Sequence, residues 1–449
     1  MEITPFRTPG LGDTSYVLEH EGRAVLVDPQ RDIDRFLSLT AERDLQVRMV
    51  LETHLHNDYV SGAEQVAVRT GAQLVLPAAA APAYSSTPAF HNEDIDAGRG
   101  LLVRPLHTPG HTPEHTSYLV LLDGEPVAVF SGGSLLVGSA GRPDLLGMER
   151  AHTLGVLQHG SLHRLAGLPR TVDLYPTHGE GSFCTASGAG KYTSTIGEEI
   201  DGNSLLTIPD ADTFADELLS TRMPIPAFYR FQGPANTLGV PPMPSLDVPE
   251  LAEPELATLP SDVAVVDIRP RADQAAGFVP GSMGVEMAID FGSWAGWLVP
   301  RERGMVLIAG ADQDIAEAVT QLAQIGVDTV RGVVRDPSSQ VATASFELID
   351  VDGFVERAEQ PGAQVLDVRM PHERAAAPLP GAVERFVPDL VDAVPAELDP
   401  AEPVLIACGS GRRASIAATL LAGHGYRSVV LTGAGVPDVV ARQNGRAAA

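Results

Sequence analysis

Three side chains able to bind a transition metal share one short segment near the start of the chain: His54, His56 and Asp58. The segment lies within residues 49–71, between an apolar run typical of a buried strand and an amphipathic stretch typical of a helix. A loop at the end of a strand can turn several donors toward one point without breaking strand pairing. The spacing therefore indicates a metal site, and a polar loop with two solvated histidines is the alternative.

A second reactive group, Cys408, lies near the other end of the chain, directly after the apolar run VLIA. The residues that follow it combine a glycine-rich turn with two guanidinium groups: Gly409, Ser410, Gly411, Arg412 and Arg413. Main-chain N–H groups, a helix N-terminus and arginine all stabilise negative charge on sulfur. A thiolate at this position can accept sulfane sulfur as a persulfide and pass it to a nucleophile such as sulfite or a thiol.

Two other roles are open to Cys408 besides sulfur transfer. Cysteine phosphatases use a C-x5-R loop, but the position six after the cysteine is Ala414, so phosphoryl transfer is disfavoured. An inert cysteine at the end of a strand is the structural alternative.

Three further motifs follow the histidine segment: HTPGHTPEH (107–115), VAVFSGGSLLVGSAGRPDL (127–145) and YPTHGEGSFC (175–184). In this order the four motifs resemble the metallo-β-lactamase superfamily, and more closely its persulfide dioxygenase branch, including members fused to rhodanese modules. The resemblance implies an αββα sandwich. In the dioxygenase branch it also implies one ferrous ion held by two histidines and one aspartate.

By this resemblance, the two histidine ligands correspond to His54 and His111, whereas Gly133 stands where the aspartate is expected. A third ligand must then come from the remaining candidates, which are His56, Asp58 and His178. Fe(II) is favoured over zinc, and a sandwich that has lost its metal is the alternative. If the two histidines still converge, Gly133→Asp is expected to improve iron occupancy.

Two further positions bear on the reaction class. Tyr59 occupies the place of the histidine that a two-metal hydrolase needs for its second ion, which disfavours a zinc hydrolase. Cys184 lies between small residues and is expected to be structural.

The C-terminal half contains an internal repeat, in which residues 265–282 align with residues 365–382 at an offset of 100. VLIAG (306–310) likewise matches VLIAC (404–408). The D-x-R and L-P-G-A signatures resemble rhodanese modules, which implies two parallel α/β modules. Because Gly310 stands where the second copy has Cys408, we expect the first copy to be catalytically silent, either packing between its neighbours or shaping a substrate path.

These patterns predict an α/β protein with four successive parts. They are a metallo-β-lactamase-like sandwich (1–221), an extended proline-rich linker (222–254), a rhodanese-like domain without the cysteine (255–340) and a rhodanese-like domain with Cys408 (345–449).

Composition restricts the partners of this chain. A net charge of −27 over 449 residues repels nucleic acid and anionic membrane. The sequence has neither an apolar run long enough to span a bilayer nor a basic, hydrophobic leader, so we expect a cytoplasmic protein. Two cysteines exclude a disulfide framework. The expected partners are a small-molecule persulfide, thiosulfate or sulfite, and a second copy of the chain in a homo-oligomer.

The sequence is compatible with four functions, which follow in order of preference. The first is a sulfur-metabolism enzyme whose sandwich oxidises a small persulfide with Fe(II) and dioxygen, while Cys408 transfers sulfane sulfur and forms thiosulfate. The second is a sulfurtransferase with a metal-free scaffold, because Gly133 replaces the ligand aspartate. The third is a non-enzymatic carrier or sensor of sulfane sulfur, and the fourth is a zinc hydrolase.

Overall fold

The structure is a computed structural model that describes residues 1–185, 191–220 and 223–447. The chain divides into two compact units. One comprises Met1–Pro244 with Ala323–Gly326, and the other comprises Ser245–Leu322 with Val327–Ala449.

The first unit contains two six-stranded sheets. The first sheet has the order β1 (Glu2–Thr8), β2 (Asp13–His20), β3 (Arg23–Val27), β4 (Gln46–Leu51), β5 (Gln73–Pro77) and β6 (Thr87–Ala89). The first three strands pair antiparallel, and the pairs from β3 to β6 are parallel.

The second sheet is built from the following strands of the chain. They are β7 (Ile95–Gly98), β8 (Leu101–His107), β9 (Thr116–Leu122), β10 (Glu125–Gly132), β13 (Asp173–Pro176) and β14 (Ser194–Thr195), in the sheet order β14-β13-β10-β9-β8-β7. A short hairpin, β11 (Leu135–Leu136) and β12 (Ser139–Ala140), follows β10.

Among the residues that the structure describes, six α-helices complete this unit: α1 (Asp34–Glu42), α2 (Ala63–Thr70), α3 (Met148–Ala166), α4 (Ile196–Gly202), α5 (Ala211–Ser220) and α6 (Tyr229–Leu238). Strand β3 shows why the layers form, because its side chains alternate between two cores. Val25 and Val27 face the other sheet, whereas Ala24 and Leu26 pack with residues of α1 and α2. On the far side of the second sheet, residues of β10 pack against α3 and α5. The predicted αββα sandwich is confirmed.

The linker predicted for residues 222–254 is not extended throughout, because it contains α6. The buried residues of this helix, Tyr229, Gln232 and Asn236, follow helical spacing, but two of them are polar and Pro234 lies between them. An apolar period is therefore missing from the sequence, and the contacts of the polar residues favour the helix instead.

The second unit contains two parallel sheets. The first has the order β16-β15-β17-β18, from β15 (Val263–Asp267), β16 (Met283–Gly284), β17 (Gly304–Ala309) and β18 (Val330–Arg335). The second has the order β19-β23-β22-β20-β21, from β19 (Glu347–Ile349), β20 (Gln364–Asp367), β21 (Val383–Glu384), β22 (Val404–Ala407) and β23 (Ser428–Leu431).

Within the described residues, six α-helices connect these strands and a seventh follows the last strand: α7 (Arg271–Ala276), α8 (Phe291–Leu298), α9 (Ile315–Gln324), α10 (Val351–Ala358), α11 (Pro371–Ala376), α12 (Arg412–Ala422) and α13 (Val436–Ala447). Among the described residues, none of the helices has the length and apolar character required to cross a bilayer.

The sequence repeat has a structural counterpart in the two D-x-R motifs. Arg269 donates to both carboxylate oxygens of Asp267 and to the carbonyl of Gly277. Arg369 makes the same bonds to Asp367 and to the carbonyl of Ala377. A carboxylate buried at the end of a strand requires such a partner, which explains why the motif recurs.

Candidate functional site

The first candidate site is a buried cluster of three imidazoles at the strand ends of the sandwich. His54 follows β4, His111 follows β8, and His178 follows β13. The Nε2 atoms of His54 and His178 are 3.3 Å apart, and ligand atoms of all three residues lie within 4.8 Å of one another. All three residues are at most 1% exposed. The structure thus brings together one histidine from each of three motifs.

The hydrogen bonds of these rings fix which nitrogen is free. The His111 Nδ1–H donates to the carbonyl of Arg142 (2.9 Å), and the His178 Nδ1–H donates to Asp13 (2.8 Å). Thr53 already gives its hydroxyl proton to a carboxylate, so its oxygen accepts the bond from His54 Nδ1 at 2.9 Å. The three Nε2 atoms therefore keep their lone pairs, which is the arrangement of metal-binding imidazoles.

These free nitrogens fit a metal ion. Two nitrogens that bind one ion tetrahedrally at about 2.1 Å are separated by about 3.4 Å, close to the 3.3 Å between His54 and His178. The Nε2 atom of His111 is buried and has no hydrogen-bond partner within the described chain. Burial, together with neighbouring imidazoles, holds the pKa of His54 and of His111 well below the usual value, so both rings are neutral.

The other two predicted ligands turn toward carboxyl groups. The Nε2 atom of His56 is 3.3 Å from Asp28 and 3.5 Å from Glu52. Asp58 lies 3.3 Å from the Nδ1 atom of His178. Burial and the nearby Asp13 carboxyl raise the pKa of Asp58 to about 7. His56 and Asp58 with His178 form a second set of possible ligands, which shares only His178 with the first.

Cys184 belongs to the polar surroundings of this cluster. Its thiol donates to the Asp58 carboxyl at 3.4 Å, and burial raises the pKa of the thiol well above the usual value. The thiol therefore stays protonated, as a structural role requires.

Gly133 leaves room for an imidazole. A Cβ atom at this position would lie 2.3 Å from Cδ2 of His111, so the ring occupies the space that a side chain there would need. The N–H of Gly133 donates to Nε2 of His115 at 2.9 Å. His115 thus supports the loop and has no free nitrogen directed at the cluster, because its Nδ1 bonds to Thr108.

Helix α6 covers the histidine loop, a contact that the sequence did not reveal. Asn236 donates to the carbonyls of His56 and Tyr59 at 2.9 Å each and accepts from the N–H of Ser61. The ring of Tyr59 stacks on His56, and its hydroxyl donates to the carbonyl of Asp28. The tyrosine therefore braces the loop at the position where a second metal ligand would stand.

The second candidate site is the turn after β22. The N–H of Gly411 donates to Sγ of Cys408 at 3.1 Å, and α12 begins at the next residue. Gly411 has a φ of +92°, a left-handed conformation that favours glycine. Cys408 is 1% exposed, while Gly409 and Ser410 are exposed, so the sulfur lies directly beneath an open turn.

Both predicted arginines hold carboxylates at this turn. Arg413 forms a two-bond pair with Glu373, one bond being 2.7 Å long. Arg412 forms a similar pair with Asp290 of the first repeat, one bond being 2.9 Å long. Arg271, also of the first repeat, donates to the carbonyl of Ser410 at 2.8 Å. The sequence does not indicate Glu373, Asp290 or Arg271 as contributors, because no local pattern links residues so distant in the chain.

The equivalent turn of the first repeat is closed by an amide. The N–H of Gly310 donates to Oε1 of Gln313 at 2.7 Å, and the Gln313 amide nitrogen donates to the carbonyl of Ile268. Arg335 donates to the carbonyls of Gly310 and Ala311 at 2.9 Å. The turn has no nucleophilic side chain at position 310.

Comparisons with known proteins match two separate parts of the chain. The Metallo-beta-lactamase superfamily model matches residues 8–178, and the Rhodanese-like domain model matches residues 350–441. A metallo-beta-lactamase structure from Staphylococcus aureus is 26% identical with a TM-score of 0.67, and the match covers 75% of this chain and 99% of that one.

Curated relatives match the N-terminal part. A hydroxyacylglutathione hydrolase of Methylobacillus flagellatus is 29% identical over 167 residues, which are 36% of this chain and 60% of that protein. The cytoplasmic hydroxyacylglutathione hydrolase of Arabidopsis thaliana is 32% identical over 178 residues, 38% of this chain and 66% of that protein. The chain thus spans less than two thirds of the length of either relative.

Proposed function

We propose that this chain, which joins a metallo-β-lactamase domain to a rhodanese-like domain, is a sulfurtransferase that carries sulfane sulfur as a persulfide on Cys408. The observation that supports this most directly is the 3.1 Å hydrogen bond from the Gly411 N–H to Sγ, at the N-terminus of α12. A main-chain donor and a helix dipole both favour a sulfur anion.

The transfer requires no external oxidant. The Cys408 thiolate attacks the outer sulfur of a donor, a new S–S bond forms, and the donor leaves as a thiolate or as sulfite with the electron pair of the broken bond. A second nucleophile then takes the outer sulfur and restores the thiolate. A persulfide on Cys408 adds one terminal sulfur beneath the exposed turn of Gly409 and Ser410.

We further propose a metal ion in the sandwich, bound by His54, His111 and His178 with Fe(II) favoured over zinc. The free, neutral Nε2 atoms support this set, and Asp13, Thr53 and the Arg142 carbonyl orient the rings. When bound, ferrous iron supplies the capacity to activate dioxygen, as a persulfide dioxygenase requires. A metal-free scaffold is the alternative, since Gly133 contributes no ligand atom.

Thioester hydrolysis, the activity in the names of the two curated relatives, is less well supported. A hydrolase with two metal ions needs ligands for the second ion. Tyr59 stands at one such position, and its hydroxyl donates to the carbonyl of Asp28. Gly133 adds no ligand atom, and the ring of His111 fills the space that a side chain there would need.

The test is sulfur transfer to cyanide by the full-length protein, with a thiol persulfide and with thiosulfate as donors. Cys408→Ser should abolish transfer from both donors, while Cys184→Ser, the matched control at the other buried cysteine, should leave it nearly unchanged. A stable persulfide on Cys408 without turnover would support the carrier function instead. Turnover by Cys408→Ser would refute the proposal.

A further inference from the structure

The ion pairs around the Cys408 turn form a ring in which each guanidinium already faces a carboxylate. The three pairs are Arg412 with Asp290, Arg413 with Glu373, and Arg271 with Glu286. They contribute three positive and three negative charges, so the ring as a whole is neutral. We call these six residues the ion-pair ring.

The ring lies directly on the turn that holds the sulfur. Nη1 of Arg271 donates to the carbonyl of Ser410 at 2.8 Å. Nη2 of Arg413 is 3.0 Å from the position of a Cβ atom on Gly409. Arg412 is the first residue of the helix that begins after Gly411. All three guanidinium groups of the ion-pair ring therefore belong to residues that contact the turn or directly follow it.

The Cys-less repeat supplies half of this ring. Arg271, Glu286 and Asp290 all precede the second repeat in the chain. The same repeat adds Trp294, whose indole N–H donates to Asp290 and whose ring lies 5.9 Å from the Arg413 guanidinium. Trp294 and Phe386 pack edge to face at 6.4 Å. An aromatic ring beside the Arg413 guanidinium suits an organic group better than an inorganic oxyanion.

The charge of the donor decides how well it fits a neutral ring. A persulfide anion beside the Cys408 thiolate places two negative charges at the turn, whereas thiosulfate, a dianion, places three. Like charges in a partly buried site repel strongly, and a guanidinium already paired with a carboxylate offsets little of that repulsion. The net charge of −27 adds to the repulsion of the dianion.

We propose that the ion-pair ring makes the Cys408 site selective for sulfane sulfur carried by thiols, so that it accepts sulfur from thiol persulfides and passes it to thiols in preference to thiosulfate and sulfite. This inference rests on the proposed sulfur transfer at Cys408. In each direction one S–S bond forms and one breaks, and a thiolate leaves with the electron pair. By reversibility, sulfite is disfavoured as an acceptor for the same reason that thiosulfate is disfavoured as a donor.

The experiment measures single-turnover formation of the Cys408 persulfide in the full-length protein by mass spectrometry. Cysteine persulfide and thiosulfate are compared as donors for the wild type, Asp290→Asn and Glu373→Gln. Both substitutions keep an oxygen acceptor for the neighbouring N–H of Trp294 or Met370, while they free a guanidinium charge. Glu347→Gln is the matched control, because it neutralises the carboxylate of a two-bond arginine pair on the surface of the same repeat.

We expect the wild type to react about a hundredfold faster with the persulfide, and each ring variant to react about tenfold faster with thiosulfate than the wild type does. Glu347→Gln should change neither rate. Equal or faster reaction of the wild type with thiosulfate would overturn the proposed selectivity, and this comparison needs no variant to fold. A loss of reaction with both donors in both ring variants would also overturn it. A wild type that takes up sulfur from neither donor would instead refute sulfur transfer at Cys408.

Discussion

The imidazole of His111 fills the space that a side chain at Gly133 would occupy, because a Cβ atom on the glycine would lie 2.3 Å from Cδ2 of the ring. The sequence alone suggested that Gly133→Asp would restore an iron ligand. The structure reverses that expectation, since an aspartate enters only if the ring leaves its bond to the Arg142 carbonyl.

Gly133→Asp is therefore expected to lower bound metal and to destabilise the sandwich by about 1–3 kcal/mol, the usual range for overpacking. Urea unfolding and metal analysis of the purified protein measure the two effects. Gly160→Asp is a suitable control, because a Cβ atom there meets nothing within 4 Å and the backbone is not left-handed. More bound iron in Gly133→Asp than in the wild type would show that the ring moves readily.

His178→Gln should release the metal, while His56→Gln should retain most of it. His178 directs a free Nε2 at His54, whereas His56 faces the carboxyl groups of Asp28 and Glu52. The metal content per folded protein, measured by inductively coupled plasma mass spectrometry, distinguishes the variants. His107→Gln replaces an exposed imidazole and serves as the control. Loss of metal only in His56→Gln would favour a different set of ligands.

Asn236→Ala should loosen the histidine loop. The substitution removes three buried hydrogen bonds to the main chain and leaves two carbonyls and one N–H without their partner. A cost of about 3 kcal/mol in the free energy of unfolding is expected. Leu238→Ala, on the same helix but 71% exposed, should cost less than about 0.5 kcal/mol. Equal costs in urea titrations would show that α6 does not brace the loop.

Gly411→Ala should slow persulfide formation on Cys408 to a greater extent than Gly433→Ala does. The added Cβ atom would lie 2.8 Å from the Leu431 carbonyl and from Arg271, in a backbone conformation with φ of +92°. Gly433 also has a positive φ, but a Cβ atom there meets nothing within 4 Å. Gly433→Ala thus isolates the conformational cost, about 1 kcal/mol. Equal rates of persulfide formation in the two variants would show that the conformation of the Gly411 turn does not affect the reaction of Cys408.

The sequence indicated those features that rest on local patterns. The order of four motifs resembles the metallo-β-lactamase superfamily, which implies the αββα sandwich, and the alignment at an offset of 100, which includes both D-x-R motifs, predicts the repeat. The domain boundaries and the silent role of the first repeat stay predictions. The sequence did not indicate features that depend on distant contacts. Asp290 pairs with Arg412 over a separation of 122 residues, and α6 buries side-chain amides instead of an apolar face.

The amide of Gln313 has a consequence for protein engineering. Its oxygen already accepts a hydrogen bond from the Gly310 N–H, and its nitrogen donates to the Ile268 carbonyl. A sulfur introduced by Gly310→Cys would have to compete with that amide, so a working pair of reactive turns in one chain requires the glutamine to be exchanged as well. A side chain three positions along the chain thus already occupies the main-chain donor at position 310.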